Sequence, residues 1–429
     1  MARKVFISVL GTGYYNRTKY YWKEKNNYIE TRFVQEATLK LLTEHWCGSD
    51  QAYFFLTKNA KKTNWTDPAQ KNDRRVKNGE RDTYKGLGKR LEEGNYPFIY
   101  EYRDIPDGNT EEEIWEIFQS VFDVLQEGDE LHFDITHAFR SIPMLVMVLI
   151  NYAKFLKNIT VRRITYGNWE GRNEENFAPI IDLTTFSELQ DWTSAANEFL
   201  NYGYSERIKE LYSGKISELS SKDKNRLMPF IKSVNDFSSL FSTVRGREII
   251  AGDEFIQLSD GINIIEKNSE IIVLKPILDK LKTSLSKFQK NSIINGFIAI
   301  EWCVEHKMIQ QAITLTQEMV ITYLCDFWKE KYHLNFRDKA HREAMNSLFG
   351  VINNNVSENG WKGSLQENIE TFRKIKEEEL FKKITKVFNK LTQIRNSINH
   401  AGFVGVMTAT EIEKNFKKYY KEIKDIINI

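Results

Sequence analysis

The sequence predicts an α/β sheet domain followed by an all-α domain. Two patterns carry this. Up to about residue 184, apolar runs of strand length alternate with amphipathic stretches of helix length. Beyond that point helical spacing continues with little strand signal.

Val5 to Leu10 is an apolar strand that ends at Gly11-Thr-Gly13, followed by a loop rich in Tyr and Lys. Thr31 to Trp46 repeats Val34, Ala37 and Leu41 at helical spacing. Ala52–Thr57 and Phe98–Tyr102 read as short strands, and the polar segment 58–95 between them reads as an excursion from the sheet. Thr110 and Glu113 form a capping-box pattern. It opens a helix whose stripe is Ile114, Ile117, Phe118, Val121, Phe122 and Leu125, closed by Glu127-Gly128. Leu131–Ile135 is the next strand, Ile142–Leu156 a buried helix, and Val161–Tyr166 another strand. Strands joined by helix-length crossovers imply a mostly parallel sheet covered on both faces. Ligands of such sheets sit beyond the carboxyl ends of the strands. Gly11-Thr-Gly13, Thr136-His137 and Gly167-Asn168 all follow strands, so they are expected along one rim.

Helical spacing then covers Glu188–Tyr202, Lys222–Val244, Glu270–Lys290, Ile293–Glu305, Ile309–Tyr332 and Glu377–His400, with a break over Gly350–Gly363. The expected division is a sheet domain at 1–184, a first helical part at 185–290 and a terminal helical core at 291–429.

Composition narrows the function classes. Lys plus Arg (61) nearly balance Asp plus Glu (59), so any nucleic-acid contact must come from a local cleft. The N-terminus has no signal-peptide organisation, and the Ile142–Leu156 run is too short and polar to span a bilayer. The scattered cysteines Cys47, Cys303 and Cys325 match neither a zinc site nor a disulfide framework. A cytoplasmic protein with no membrane partner, no metal and no cofactor is the expectation. No GxGxxG follows the first strand, which argues against a dinucleotide oxidoreductase.

The chemistry-bearing residues lie at the end of an apolar-periodic helix (Leu380, Ile384, Val387, Leu391, Ile394), in Arg395-Asn-Ser-Ile-Asn-His400. Five residues advance about 140° on a helix, so Arg395 and His400 do not stack, whereas Asn396 and His400 share a face. A His at the last turn, released by Gly402, can move protons near neutral pH. An Arg can hold a phosphate and its developing charge, and Asn396 can orient either one. The trio suits RNA cleavage without metal, leaving a 2′,3′-cyclic phosphate and a 5′-hydroxyl. By itself the spacing is weak. Arg337 and His341 nearly repeat it and are taken as a decoy.

Lys4 to Asn16 with Thr31-Arg-Phe-Val-Gln-Glu-Ala37 resembles the opening of the CRISPR-associated CARF proteins of the DxTHG class. Asp134-Ile-Thr-His-Ala-Phe-Arg-Ser141 resembles the signature of that class, with Ala138 in place of its final Gly. Arg395 to His400 resembles the R-x4-6-H motif of HEPN ribonucleases. The resemblance implies a Rossmann-like CARF domain followed by a HEPN domain. It implies a homodimer or higher homo-oligomer that binds a cyclic oligoadenylate, by family the tetra-adenylate, and then cuts single-stranded RNA in type III CRISPR defence. The catalytic residues would be Arg395, Asn396 and His400, pooled between two chains. The activator would meet Gly11, Thr12, Gly13, Asn16, Arg32, Thr136, His137, Arg140, Ser141, Tyr166 and Gly167. Tyr14, Tyr15, Tyr20 and Tyr21 either stack on adenines or pack across a dimer interface. Gln310, Gln311 and Glu318 either line the catalytic cleft or are polar residues at the core edge. No stable DNA binding is expected. The alternatives are a non-catalytic sensor that contacts a partner, in which the trio has no role, and a metal-dependent nuclease, for which the second half shows too little strand.

Overall fold

In the computed structural model, residues 2–67, 85–137, 142–216, 221–266, 275–403 and 407–429 are described. They divide into two compact units, Met1–Gln190 and Asp191–Ile429.

The first unit is built on an eight-stranded sheet: β1 (Lys4–Leu10), β2 (Thr18–Trp22), β3 (Tyr28–Thr31), β4 (Gln51–Leu56), β5 (Ile99–Asp104), β6 (Glu130–Asp134), β7 (Thr160–Gly167) and β8 (Phe177–Asp182). Their spatial order is β3-β2-β8-β7-β6-β1-β4-β5, antiparallel at β3–β2 and β8–β7 and parallel elsewhere. Helices α1 (Val34–Leu42), α2 (Leu87–Glu93), α3 (Glu111–Asp123) and α4 (Ile142–Lys157) connect the strands. Alternation along β1 decides what each face buries. Val5, Ile7 and Val9 join Ile117, Val121, Leu149 and Ile150 from α3 and α4. Phe6 and Leu10 join Leu39 of α1 and Leu87 of α2 on the opposite face. The sheet is therefore mixed but mostly parallel, and covered on both sides.

Three local expectations change. The Tyr- and Lys-rich loop contains β2 and β3, because Thr18 and Tyr20 alternate inward while Lys19 and Tyr21 remain partly exposed. That is a period-two pattern hidden by polar residues. The expected capping box is half formed: Thr110 accepts from the Glu113 N–H, but the Glu113 carboxylate accepts from the Asn109 N–H. Helix α4 is not buried all round. Its outer side exposes Val148, Tyr152, Phe155 and Leu156.

The second unit is helical throughout its described residues: α5 (Thr184–Tyr202, which begins in the first unit), α6 (Glu206–Ile216), α7 (Ser221–Ser242), α8 (Gly246–Ala251), α9 (Asp253–Glu266), α10 (Lys275–Leu285), α11 (Ile294–Glu305), α12 (Ile309–Phe327), α13 (Lys339–Asn353), α14 (Ile369–Glu377), α15 (Glu379–Asn399) and α16 (Ala409–Ile427), with single-turn pieces between some of them. Helix α13 continues through Gly350 to Asn353, so the expected break at Gly350 begins later. Helix α15 buries Phe381, Ile384, Val387, Phe388, Leu391 and Ile394. Phe349 of α13 stacks on Phe388 with ring centroids 3.9 Å apart. Each such large side chain contributes about 2 kcal/mol on burial, so α15 is held rigidly along this face. Among the described residues no helix is long and apolar enough to cross a membrane.

Candidate functional site

The strand order of the first unit turns at β1. Strands β4 and β5 lie to one side, β6 and β7 to the other, so the crevice at the switch lies beyond the carboxyl ends of β1 and β6. Gly11 follows β1, and Thr136 and His137 follow β6.

The rim is built from Asp134, the last residue of β6, which is fully buried. Its carboxylate accepts hydrogen bonds from Ser8 Oγ at 2.8 Å, from the Thr136 N–H at 3.2 Å and from the Thr136 hydroxyl. Burial raises its pKa, and the bonds from Thr136 and Ser8 oppose that shift. Thr136 Oγ1 in turn accepts from the Gly167 N–H at 2.8 Å. Ser8, Asp134, Thr136 and Gly167 thus tie together the ends of β1, β6 and β7. A side chain at Gly167 has no room, since a Cβ there would lie 2.3 Å from Val34 Cγ2 at the start of α1.

His137 stacks on Tyr15, with ring centroids 4.4 Å apart and planes at 28°. It keeps some solvent contact, yet the surrounding protein pulls its pKa down to about 4, so it is neutral at physiological pH. Gly11 lies against the same pair: a Cβ there would fall 2.6 Å from Tyr15 Oη and 3.3 Å from His137 Cβ. Thr12, Gly13 and Asn16 are exposed. Arg32 is almost fully buried, and its Nη1 donates to the Tyr15 carbonyl at 2.9 Å. It therefore anchors the loop from Gly11 to Asn16. Tyr166 is half-buried and lies one residue before Gly167. Arg140 and Ser141 lie outside the described residues. Tyr20 is in the core, where burial pushes its hydroxyl up to about 12, so it is not available for stacking on a ligand.

One rim residue escaped sequence reasoning. Asn64 is fully buried and donates from Nδ2 to the carbonyls of Gly11 and Gly13, both at 2.8 Å. It sits in the polar segment 58–95, where one Asn among many Lys and Asn carries no distinguishing signal.

In the second unit the trio stands at the end of α15. Ile394 and Ser397 are buried, whereas Arg395, Asn396 and His400 are exposed. His400 is the C-cap, its N–H bonded to the Asn396 carbonyl at 3.0 Å. The chain leaves the helix through two left-handed residues, Ala401 (φ 51°) and Gly402 (φ 78°), with the Gly402 N–H reaching the Ser397 carbonyl at 2.9 Å. Gly402 thus ends the helix as the second of two left-handed residues, with Ala401 in the first left-handed position. The next residue, Phe403, is 93% exposed. Behind the trio, Gln317 of α12 donates to Thr392 Oγ1 at 2.9 Å and fixes the approach of α15. Gln310 is exposed, Gln311 half-buried, and Glu318 is paired with Arg342 at 2.6 Å. The Arg337–His341 pattern is absorbed by a helix start: Asp338 caps α13, and His341 Nδ1 accepts from the Asn335 N–H at 3.1 Å.

Residues 5–170 match the family model described as the CARF domain of the CRISPR system endoribonuclease Csx1. A CRISPR-associated protein of Methanocaldococcus jannaschii is 27% identical over 305 residues, which are 68% of this chain and 41% of the relative. The chain thus spans about two fifths of that relative's length. Csm6 of Enterococcus italicus, solved bound to cyclic hexa-2′-fluoro-hexa-dAMP, aligns over 99% of this chain and 94% of its own, with 10% identity and a TM-score of 0.47. The sheet unit, with its rim at the ends of β1, β6 and β7, is thus the part of the chain that matches the Csx1 CARF-domain model, and a mostly helical unit follows it.

Proposed function

We propose that the chain is a metal-independent endoribonuclease of type III CRISPR defence in the cytoplasm, switched on by a cyclic oligoadenylate. The sheet unit senses the activator, for which we propose the tetra-adenylate. The helical unit, with a HEPN core over 291–429, cleaves single-stranded RNA to 2′,3′-cyclic phosphate and 5′-hydroxyl ends. One observation carries the reading: Arg395, Asn396 and His400 are presented to solvent on the last turns of a helix whose other face is locked in the core. Among the described residues, neither the Arg395 nor the His400 side chain has a hydrogen-bond or ion-pair partner. A cation and an imidazole left unengaged on a rigid support match what phosphodiester cleavage requires. The imidazole takes the 2′-hydroxyl proton or returns one to the leaving 5′-oxygen, while the guanidinium holds the phosphate. The two side chains project about 140° apart, which favours a site completed by a second copy of the chain.

The neutral, stacked His137 and the exposed Thr12 and Gly13 offer backbone and ring surfaces suited to phosphates and adenines. The test is RNA cleavage measured against a panel of cyclic oligoadenylates, with and without EDTA. In the His400→Ala chain, cleavage should fall by about 10² to 10⁴-fold while activator binding persists. Undiminished cleavage in that variant would remove the assignment.

A further inference from the structure

The helical unit contains a concave site whose lining does not include the trio. A groove of about 540 Å³ opens between α8, α12 and α13, with Leu315 and Met319 in its floor and the half-buried ring of Phe336 in its wall. That volume suits a nucleotide-sized ligand. Arg342 crosses the groove and is fixed in place, donating to Thr322 Oγ1 at 2.7 Å, to the Phe336 carbonyl at 3.3 Å and to Glu318 at 2.6 Å.

Charge and backbone both set this groove apart. Four cationic residues (Arg247, Arg337, Lys339, Arg342) face two carboxylates (Glu318, Glu343), and 4 − 2 leaves a surplus of two. Both carboxylates are already matched, Glu318 to Arg342 and Glu343 to Lys339 at 3.5 Å. The surplus therefore rests on Arg247 and Arg337, which are exposed and have no acidic partner among the described residues. The Arg337 guanidinium stands 5.6 Å from the Phe336 ring centroid. At the rim, Val244 is held at φ 56°, a strained conformation for a β-branched residue, where α7 gives way to α8 and Arg247.

Two uncompensated guanidinium groups beside an aromatic ring can receive a phosphate and a flat base together. We propose that this groove binds a nucleotide unit of single-stranded RNA, its phosphate held by Arg247 and Arg337 and its base against Phe336. The choice of RNA rests on the function proposed above, whereas the match to an anion carrying a flat ring does not.

The test uses the full chain carrying His400→Ala, so that nothing is cut, and a short fluorescein-labelled single-stranded RNA followed by anisotropy. Adding Arg247→Glu and Arg337→Glu should weaken binding at least tenfold and make the slope of log affinity against log salt shallower by about 0.7, the loss of one neutralised phosphate. The melting temperature should stay unchanged, since both side chains are exposed. Displacement of the label by unlabelled RNA but not by AMP supports a strand, whereas displacement by AMP alone overturns the RNA assignment in favour of a free nucleotide. Unchanged affinity and salt slope overturn the groove as a site. Because binding is read without cleavage, an inactive nuclease and an unused groove give different results.

Discussion

At the scale of single residues, the sheet unit holds two histidines in the neutral form. Burial is the main cause for both: it takes His137 to about 4, and it takes His132, packed edge-on against Trp46, to about 4 with the help of nearby Arg163. A folded-state pKa below the unfolded value of about 6.5 means that the unfolded chain binds the extra proton first. The stability these groups contribute is complete above about pH 6.5 and is lost as pH falls towards 4. The ceiling is about 3 kcal/mol per group, from 1.36 kcal/mol per pKa unit. Asp134 acts in the opposite sense, since its pKa is raised and its contribution is lost as pH rises. Thermal melting between pH 7 and 4 should therefore show a steep fall, and His132→Asn should flatten it. An equally steep fall in that variant would show that the acid sensitivity resides elsewhere. His132 was not singled out by sequence, because a lone His within a strand looks the same whether it is solvated or enclosed.

At the scale of elements, legibility followed periodicity. Strands β1, β4, β6 and β7 and helices α3, α4, α12 and α15 were marked by apolar spacing that burial then used. Strands β2, β3 and β8 were not, because Lys, Tyr and Pro obscure their apolar spacing and they owe their order to pairing with one another and with β7. Helix α16 was missed although it carries a complete capping box between Thr408 and Glu411, a local signal hidden after a Gly-containing turn. The rim was half legible. Gly11, Thr136 and His137 follow strands, but the buried Asn64 and the loop-anchoring role of Arg32 depend on tertiary contacts. The end of α15 allows a direct test of its cap. Ala401 occupies a left-handed position that glycine adopts without steric cost. Ala401→Gly should stabilise the chain by about 1 kcal/mol in denaturant titration, with RNA cleavage retained. A destabilised variant would mean that this turn relaxes in solution and that His400 is not held as seen.

At the scale of the whole molecule, the proposed site at the end of α15 takes one Arg and one His from a chain, which calls for a partner surface. Helix α4 bears on it, since it is apolar on both sides. Val146, Leu149, Ile150 and Ala153 enter the core, while Val148, Tyr152 and Phe155, at i, i+4 and i+7, form an outward stripe with Leu156 beside it. Phe155 is 85% exposed, and Trp115 of α3 adds a further exposed ring at 60%. A stripe of this kind is costly in water and suits a self-complementary two-fold contact, in which the same helix serves both partners. The expected occupant is a second copy of the chain. Phe155→Glu places two like charges at such a contact while leaving the core side of the helix untouched. Sedimentation should show the dimer of the unaltered chain shifting to monomer in the variant, with melting of the monomer little changed. If Arg395 and His400 act in pairs, RNA cleavage should fall with the dimer fraction and recover as protein concentration rises. A monomeric variant with full cleavage at every concentration would show that a single chain holds the whole catalytic site.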